Sequence, residues 1–351
     1  MDLDDLKKIK ELDGEGMFAH IHSLPDQLVA AWKLGLSLPL PKMEGLQAIV
    51  VAGMGGSAIG ADLVAAYVSA ICPVPVYVHR DYVLPAWAKG PQTLVIASSH
   101  SGNTEEVLSS FENARQNGCQ IVAISRGGKL AEAAKAAGVP YWKFEHDGYP
   151  RAALGFIFSM VLAILYRQGL IPDPSAEIEA AAAAMRKQEL SLLPEVTVSQ
   201  NPAKRLAGQL VGRWITILGS DYLAPIARRW KGQVSELAKA WGQFEFLPEA
   251  DHATLAGIFN PQEVLSKTIV LFLTGASDYP RNQLRSQLTR QKLMEEGINT
   301  DVYHAQGATP LEQMWTAVHF GDYALFYLAI AYETDPSPID AIEDLKKAMK
   351  A

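Results

Sequence analysis

The sequence predicts an α/β protein of two similar halves, each a mainly parallel sheet flanked by helices, with a C-terminal helical segment. Three observations lead there. Short apolar, β-branched runs alternate with stretches of helical periodicity, as parallel strands covered on both faces require. Two such runs end in turns rich in glycine and hydroxyls that lead straight into helices. The order of strand, Gly-Ser turn and helix then returns in the second half of the chain, after Arg213.

Residues 1–40 read as an N-terminal helical segment broken at Pro25. His20 and His22 lie two apart with no carboxylate pattern around them, so surface or packing roles suit them best. Residues 41–167 read as the first α/β domain. A strand at 48–52 runs into the glycine turn at 53–57, and a helix follows from about Ala58. Strands at 74–78 and 93–97, a helix at 105–117, a strand at 119–125, a helix at 129–137 and a short strand at 139–144 complete the unit. Residues 152–166 carry no charge but are too short for a membrane span, which makes them a buried helix. A linker with an Ala-rich helix, 168–205, leads to the second domain, 206–335. There 213–242 reads as strand, turn and helix, 267–274 as a strand, 281–296 as a helix, 299–305 as a strand and 311–334 as a long helix. Pro336 and Pro338 set off the last segment, 336–351, with a helix over 339–349.

The chain has 351 residues, 49% apolar and 20% charged, which is enough for two or three cores. Its net charge of −7, with no basic stripe, argues against a nucleic-acid partner. Cys72 and Cys119 stand far apart and form neither a zinc nor a disulfide pattern. The charged start MDLDDLKKIKELD has no apolar core of the secretory kind. A cytoplasmic protein with no membrane contact is expected.

The chemistry centres on SSHSGNTEEV, residues 98–107, a strand-to-helix turn. Amides at a helix start point outward, and the helix dipole favours negative charge there. Ser99, Ser101 and Thr104 add hydroxyls, and Gly102 admits a ligand close to the backbone. No Lys or Arg lies in the turn, so neutral donors would hold a phosphate monoester. An ordinary hydroxyl-capped helix is the plainer reading. The second turn, Gly53-Met54-Gly55-Gly56-Ser57, shifts the balance, because ligands of such folds bind where strands end. Its match to the dinucleotide fingerprint is loose, and only Asp81 lies where a ribose ligand would be sought. Three ionisable residues stand out further along. Arg151 opens the most apolar helix. Glu236 sits in a helical apolar pattern with Val234, Leu237, Ala238 and Trp241. His252 lies in a loop with Glu249 and Asp251. Each is also readable as a surface or packing residue, and no nucleophile elbow or metal cluster is present in the pattern.

GMGGSAIG (53–60), RDYVLP (80–85), SSHSGNTEE (98–106), PRAALG (150–155), RRWKGQVSELAK (228–239), LPEADHATLAG (247–257) and FGDYALFYLAIAYETDPSPIDAIEDLK (320–346) occur in one order and spacing. In these the chain resembles the bifunctional phosphoglucose/phosphomannose isomerase family. That family belongs to the phosphoglucose isomerase superfamily of double sugar-isomerase (SIS) domains. The resemblance implies that Gly55, Gly56, Ser57, Ser99, Ser101 and Thr104 hold a sugar phosphate. Glu236 would be the catalytic base, Arg151 the arginine beside the enediolate, and His252 the ring-opening histidine, supplied by the second subunit of a homodimer. Lys346, with Lys347 competing, falls near an active-site lysine. The implied reaction interconverts glucose or mannose 6-phosphate with fructose 6-phosphate through a cis-enediol, without metal or cofactor, in glycolysis and gluconeogenesis. A carboxylate suits the C1–C2 proton transfer, an arginine the oxyanion, and a histidine the ring-opening proton.

Four positions depart from the family pattern. His100 stands where tyrosine is common, and Ser235-Glu236-Leu237 replaces Asn-Glu-Asn. Asp251 precedes His252 in place of Asn, within reach to tune it if the two are close, and Thr254 replaces Glu. These leave open a phosphosugar-binding sensor without turnover and an isomerase of another phosphosugar; a dinucleotide-dependent enzyme using GMGGSAIG is a third alternative.

Overall fold

The structure, a computed structural model, describes residues 2–349. The elements in order are α1 (Leu6–Leu12), α2 (Met17–His22), α3 (Leu24–Ser37), β1 (Ala48–Ala52), α4 (Gly55–Val68), β2 (Val76–His79), β3 (Thr93–Ser98), α5 (Glu105–Gln116), β4 (Gln120–Ser125), α6 (Gly128–Ala137), β5 (Tyr141–Lys143) and α7 (Leu154–Arg167). They continue with α8 (Ser175–Glu189), α9 (Pro202–Leu210), β6 (Trp214–Gly219), α10 (Ala224–Glu236), β7 (Gly242–Phe246), α11 (Gln262–Leu265), β8 (Thr268–Thr274), α12 (Pro280–Glu295), β9 (Asn299–His304), α13 (Pro310–Ala331) and α14 (Asp340–Ala348). The chain divides into two compact units. One takes Ser23–Ala184 and Thr309–Glu312. The other takes the chain up to His22, Met185–Ala308 and the chain from Gln313 on.

In the unit built on Ser23–Ala184, five strands form one parallel sheet in the order β2-β1-β3-β4-β5. Successive connections run outward on both sides of β1 and β3, so the winding reverses between those strands and leaves a crevice beyond their carboxyl ends. All of β3 is buried, as is β1 after its first residue, which explains their unbroken apolar runs. Helix α7 is the buried helix that its uncharged run predicts, with eleven buried residues. It packs on α3, and Ser159 donates to the Leu28 carbonyl at 2.8 Å. The glycine-turn helix begins at Gly55, three residues before the expected Ala58.

In the other unit the sheet order is β7-β6-β8-β9, again all parallel. Strand β7 is an addition to the expected elements: its GQFEF sequence pairs with β6 from Ile215↔Gly242 to Gly219↔Phe246. The segment expected as a linker carries α8 and α9. Helix α13 is buried through most of its length and is bound to α10 by a fully enclosed ion pair. Arg229 donates to Asp322 through Nη2 at 2.7 Å and Nε at 3.2 Å, and Gln233 adds a bond of 2.8 Å to the same carboxylate. Such a pair, fully hydrogen-bonded, is costly to break and fixes the rotation of both helices. Of the N-terminal segment, the residues up to His22 belong to this unit. Buried Lys204 binds Asp4 at 2.9 Å, and His319 donates to the Ile21 carbonyl at 3.1 Å. His22 lies 3.3 Å from Glu189 and 3.4 Å from the Tyr323 hydroxyl, a packing role of the expected kind. No helix among the described residues is long and apolar enough to cross a membrane.

Candidate active site

The reversal point of the five-stranded sheet lies between β1 and β3, and the two donor turns follow those strands. Both helices that leave the turns begin without a side-chain cap. At α5 the expected capping hydroxyl is turned away: Thr104 Oγ1 bonds Ser99 Oγ at 2.8 Å. The first-turn amides therefore remain available to a ligand. Ser99 is buried, and its Oγ also accepts from the Gly102 amide at 3.0 Å. Ser101 is exposed and accepts the Asn103 amide at 3.2 Å. Ser57 is buried in the first turn of α4, with Gly55 exposed beside it.

Two close approaches hold this arrangement. A Cβ on Gly56 would lie 2.4 Å from the Pro150 carbonyl oxygen, so α4 is pressed against the short 3₁₀ turn Pro150–Ala152. That turn carries Arg151, 2% exposed, with its guanidinium 4.4 Å from the centre of the Tyr149 ring. The cation therefore sits just before α7, fixed by cation–π contact beside the glycine turn. Gly102 has φ +70°, and a Cβ there would lie 1.8 Å from the Gly127 carbonyl oxygen. The turn after β3 is thus interlocked with the turn after β4. Arg126 donates its amide to the His100 carbonyl at 3.1 Å and Leu130 to that of Gly102 at 2.9 Å, while Lys129 donates to Asn103 Oδ1 at 3.1 Å. Sequence reasoning missed this second turn, because it contributes backbone rather than reactive side chains.

His100, in place of the more common tyrosine, is buried and bonds His146 at 3.1 Å between the rings of Phe144 and Phe156. Burial, then the neighbouring His146 and Arg126, pushes its pKa down to about 3, so His100 is neutral at physiological pH. At the strand β2 end, Arg80 is held by Asp62 of α4.

Glu236, His252 and Lys346 belong to the other unit. Glu236 is the last residue of α10 and is half-buried. Its carbonyl accepts from Lys239 Nζ at 2.8 Å, which closes the helix end, and the Arg229–Asp322 pair lies two turns back. The apolar pattern that encloses it is shorter than expected: Val234, Leu237 and Ala238 are buried, whereas Trp241 lies beyond the helix and is 73% exposed. His252 is exposed at the end of the 3₁₀ turn Glu249–His252. Asp251 holds that turn to α12, taking Arg285 at 3.0 Å and Thr289 at 2.7 Å on its two oxygens. The carboxylate is thereby spent on anchoring the loop. Lys346 is exposed on α14, and Lys347 pairs with Asp344 at 3.1 Å.

The second sheet reverses between β6 and β8 in the same way, but there side-chain carboxylates take up backbone amides of the loop after β8. Asp278 accepts the Gly275 amide at 2.8 Å, and Asp221 accepts the Tyr279 amide at 2.9 Å and Asn282 at 3.0 Å. Carboxylates occupy the place that a ligand anion would take. Burial raises the Asp278 carboxyl to about 6. Its ordinary value is 3.8, so the folded state favours the proton and loses stability as pH rises from about 4 to about 6. Asp278→Asn keeps the acceptor and cannot ionise. It is expected to be about 2 kcal/mol more stable than the parent at pH 7.5 and no more stable at pH 4, as read by urea melts.

Residues 199–349 match the family described as bacterial phospho-glucose isomerase C-terminal SIS domain. A bifunctional phosphoglucose/phosphomannose isomerase of Caldicellulosiruptor bescii is 37% identical over 95% of this chain and 98% of its own length. One from Aquifex aeolicus is 33% identical over 86% and 90%. Among solved structures, the tagatose-6-phosphate ketose/aldose isomerase of Escherichia coli superposes with a TM-score of 0.71 at 16% identity, over 92% of this chain and 95% of that one, which shows a shared fold. With two parallel α/β units, donor turns at the first reversal point and relatives matched nearly end to end, the chain belongs to the bifunctional phosphoglucose/phosphomannose isomerase family.

Proposed function

We propose that the protein interconverts glucose 6-phosphate, and mannose 6-phosphate, with fructose 6-phosphate by proton transfer through a cis-enediol. The observation that carries this reading is the pair of uncapped helix starts at the β1/β3 reversal point, tied by the Gly56 contact to the segment of Arg151. Gly55, Gly56, Ser57, Ser99, Ser101 and Thr104 bind the phosphate. Glu236 carries the proton between C1 and C2, Arg151 stabilises the charge on the enediolate oxygen, and His252 moves the ring-opening proton. Lys346 assists from α14. The enzyme acts in the cytoplasm on central hexose phosphates.

A coupled assay with each aldose phosphate tests the reaction: formation of fructose 6-phosphate from both is expected. Phosphosugar binding without turnover would favour the sensor reading, and turnover of neither sugar with turnover of another would redirect the substrate.

His252 is exposed in its own chain, as a residue given to a neighbouring subunit would be. A homodimer with shared sites predicts complementation. Glu236→Gln and His252→Gln are each expected to be inactive alone. After mixing and subunit exchange, about a quarter of the parent activity returns, since one of two sites in each mixed dimer is intact. No recovery despite exchange would place both residues in one subunit's site.

A further inference from the structure

A cavity with a volume of about 680 Å³ lies at the amino ends of β6, β7 and β8. Its walls include Arg213, Trp214, Lys239, Trp241, Lys267 and Tyr332. Trp241 is 73% exposed, and its ring centre lies 6.2 Å from that of Trp214. A large aromatic left in water on a rigid base is an uncommon use of the residue, and it offers a flat apolar face to a ligand. Tyr332 closes another wall, its hydroxyl fixed by the Gly212 amide at 2.8 Å.

Charge at this cavity opposes that of the chain. The protein carries −7 overall, yet three of the four charged residues of the lining are cations, with Glu263 the exception. Among the described residues, Arg213 and Lys267 form no ion pair. Lys239 is directed to the end of α10, on the Glu236 and Leu237 carbonyls. Unpaired cations around a stacking surface suit a ligand that is planar at one end and anionic at the other. The volume is in the range that takes a small organic ligand.

We propose that this cavity is a binding site for a nucleoside polyphosphate, with the base on Trp241 and the phosphates on Arg213 and Lys267. The site is separate from the phosphosugar turns and does not depend on the isomerase reading.

The test is a titration of the whole chain with ADP, adenosine and pyrophosphate, followed by tryptophan fluorescence and calorimetry. Saturable ADP binding is expected, at least tenfold tighter than that of either fragment, and weakened by salt. Trp241→Ala and Lys267→Gln are each expected to weaken ADP about tenfold with unchanged thermal melting. Absence of saturable ADP binding would overturn the proposal. So would ADP binding that both variants retain, or that fructose 6-phosphate displaces, since the nucleotide would then sit elsewhere. Self-association that Trp241→Ala abolishes, without ADP binding, would make this face a contact between copies instead.

Discussion

Glu236→Gln is expected to lower kcat by about 10³-fold or more while leaving the affinity for fructose 6-phosphate within a few-fold of the parent. The residue ends α10, where Lys239 closes the helix and the Arg229–Asp322 pair sets its rotation, so the amide enters the same position without loss of packing. What disappears is the basic carboxylate that takes the proton from carbon. Exchange of solvent deuterium into the sugar at C1 or C2 should vanish in step with turnover. Retained exchange with lost turnover would move the carbon acid step to another residue and leave Glu236 with ring opening or product release. Retention of both would remove it from the mechanism.

The second large effect is expected at the interlocked turns. Gly102→Ala places a methyl group where the Gly127 carbonyl oxygen already stands, at a backbone angle that alanine adopts poorly. The turn must separate from its neighbour, losing the His100 and Gly102 carbonyl bonds to the Arg126 and Leu130 amides. A destabilisation of about 2–4 kcal/mol is expected, with a rise of at least tenfold in KM for fructose 6-phosphate. Denaturant melts and steady-state kinetics read the two separately. A variant that is destabilised but binds the phosphosugar as before would show that the turn is architecture and not the phosphate site.

The fold was legible where apolar runs were unbroken. β1, β3, β4, β6 and β8 are buried strands bounded by turn residues, and each shows itself in the chain. β7 did not, because it lies at the sheet edge and alternates Gln243 and Glu245 with Phe244 and Phe246. That alternation is the period of a half-buried strand, but over only five residues after a helical pattern it is a weak signal. The donor turns were legible because glycine and hydroxyls after a strand have a direct physical meaning. The turn at Gly127 and Gly128 was not, since it acts through a carbonyl. Asp278 reads as a loop acid in the chain; only the structure shows it buried on the Gly275 amide. Trp241 continued a helical spacing, but α10 stops at Glu236, and the positive φ of Lys239, +52°, turns the chain away before the tryptophan.

The placement of the N-terminal segment has a consequence for how the protein is made. Ile21 is bonded to His319, 298 residues later, and Asp4 to Lys204, 200 residues later. At about 5–20 residues per second, a ribosome needs roughly 15–60 s to reach His319 after Ile21. The strands β1 to β5 and helix α7 are all complete well before then, and form a sheet that needs none of the first twenty-two residues for its pairing. The residues up to His22 therefore precede that sheet in synthesis, and their bonds to Lys204 and His319 can form only after it is complete.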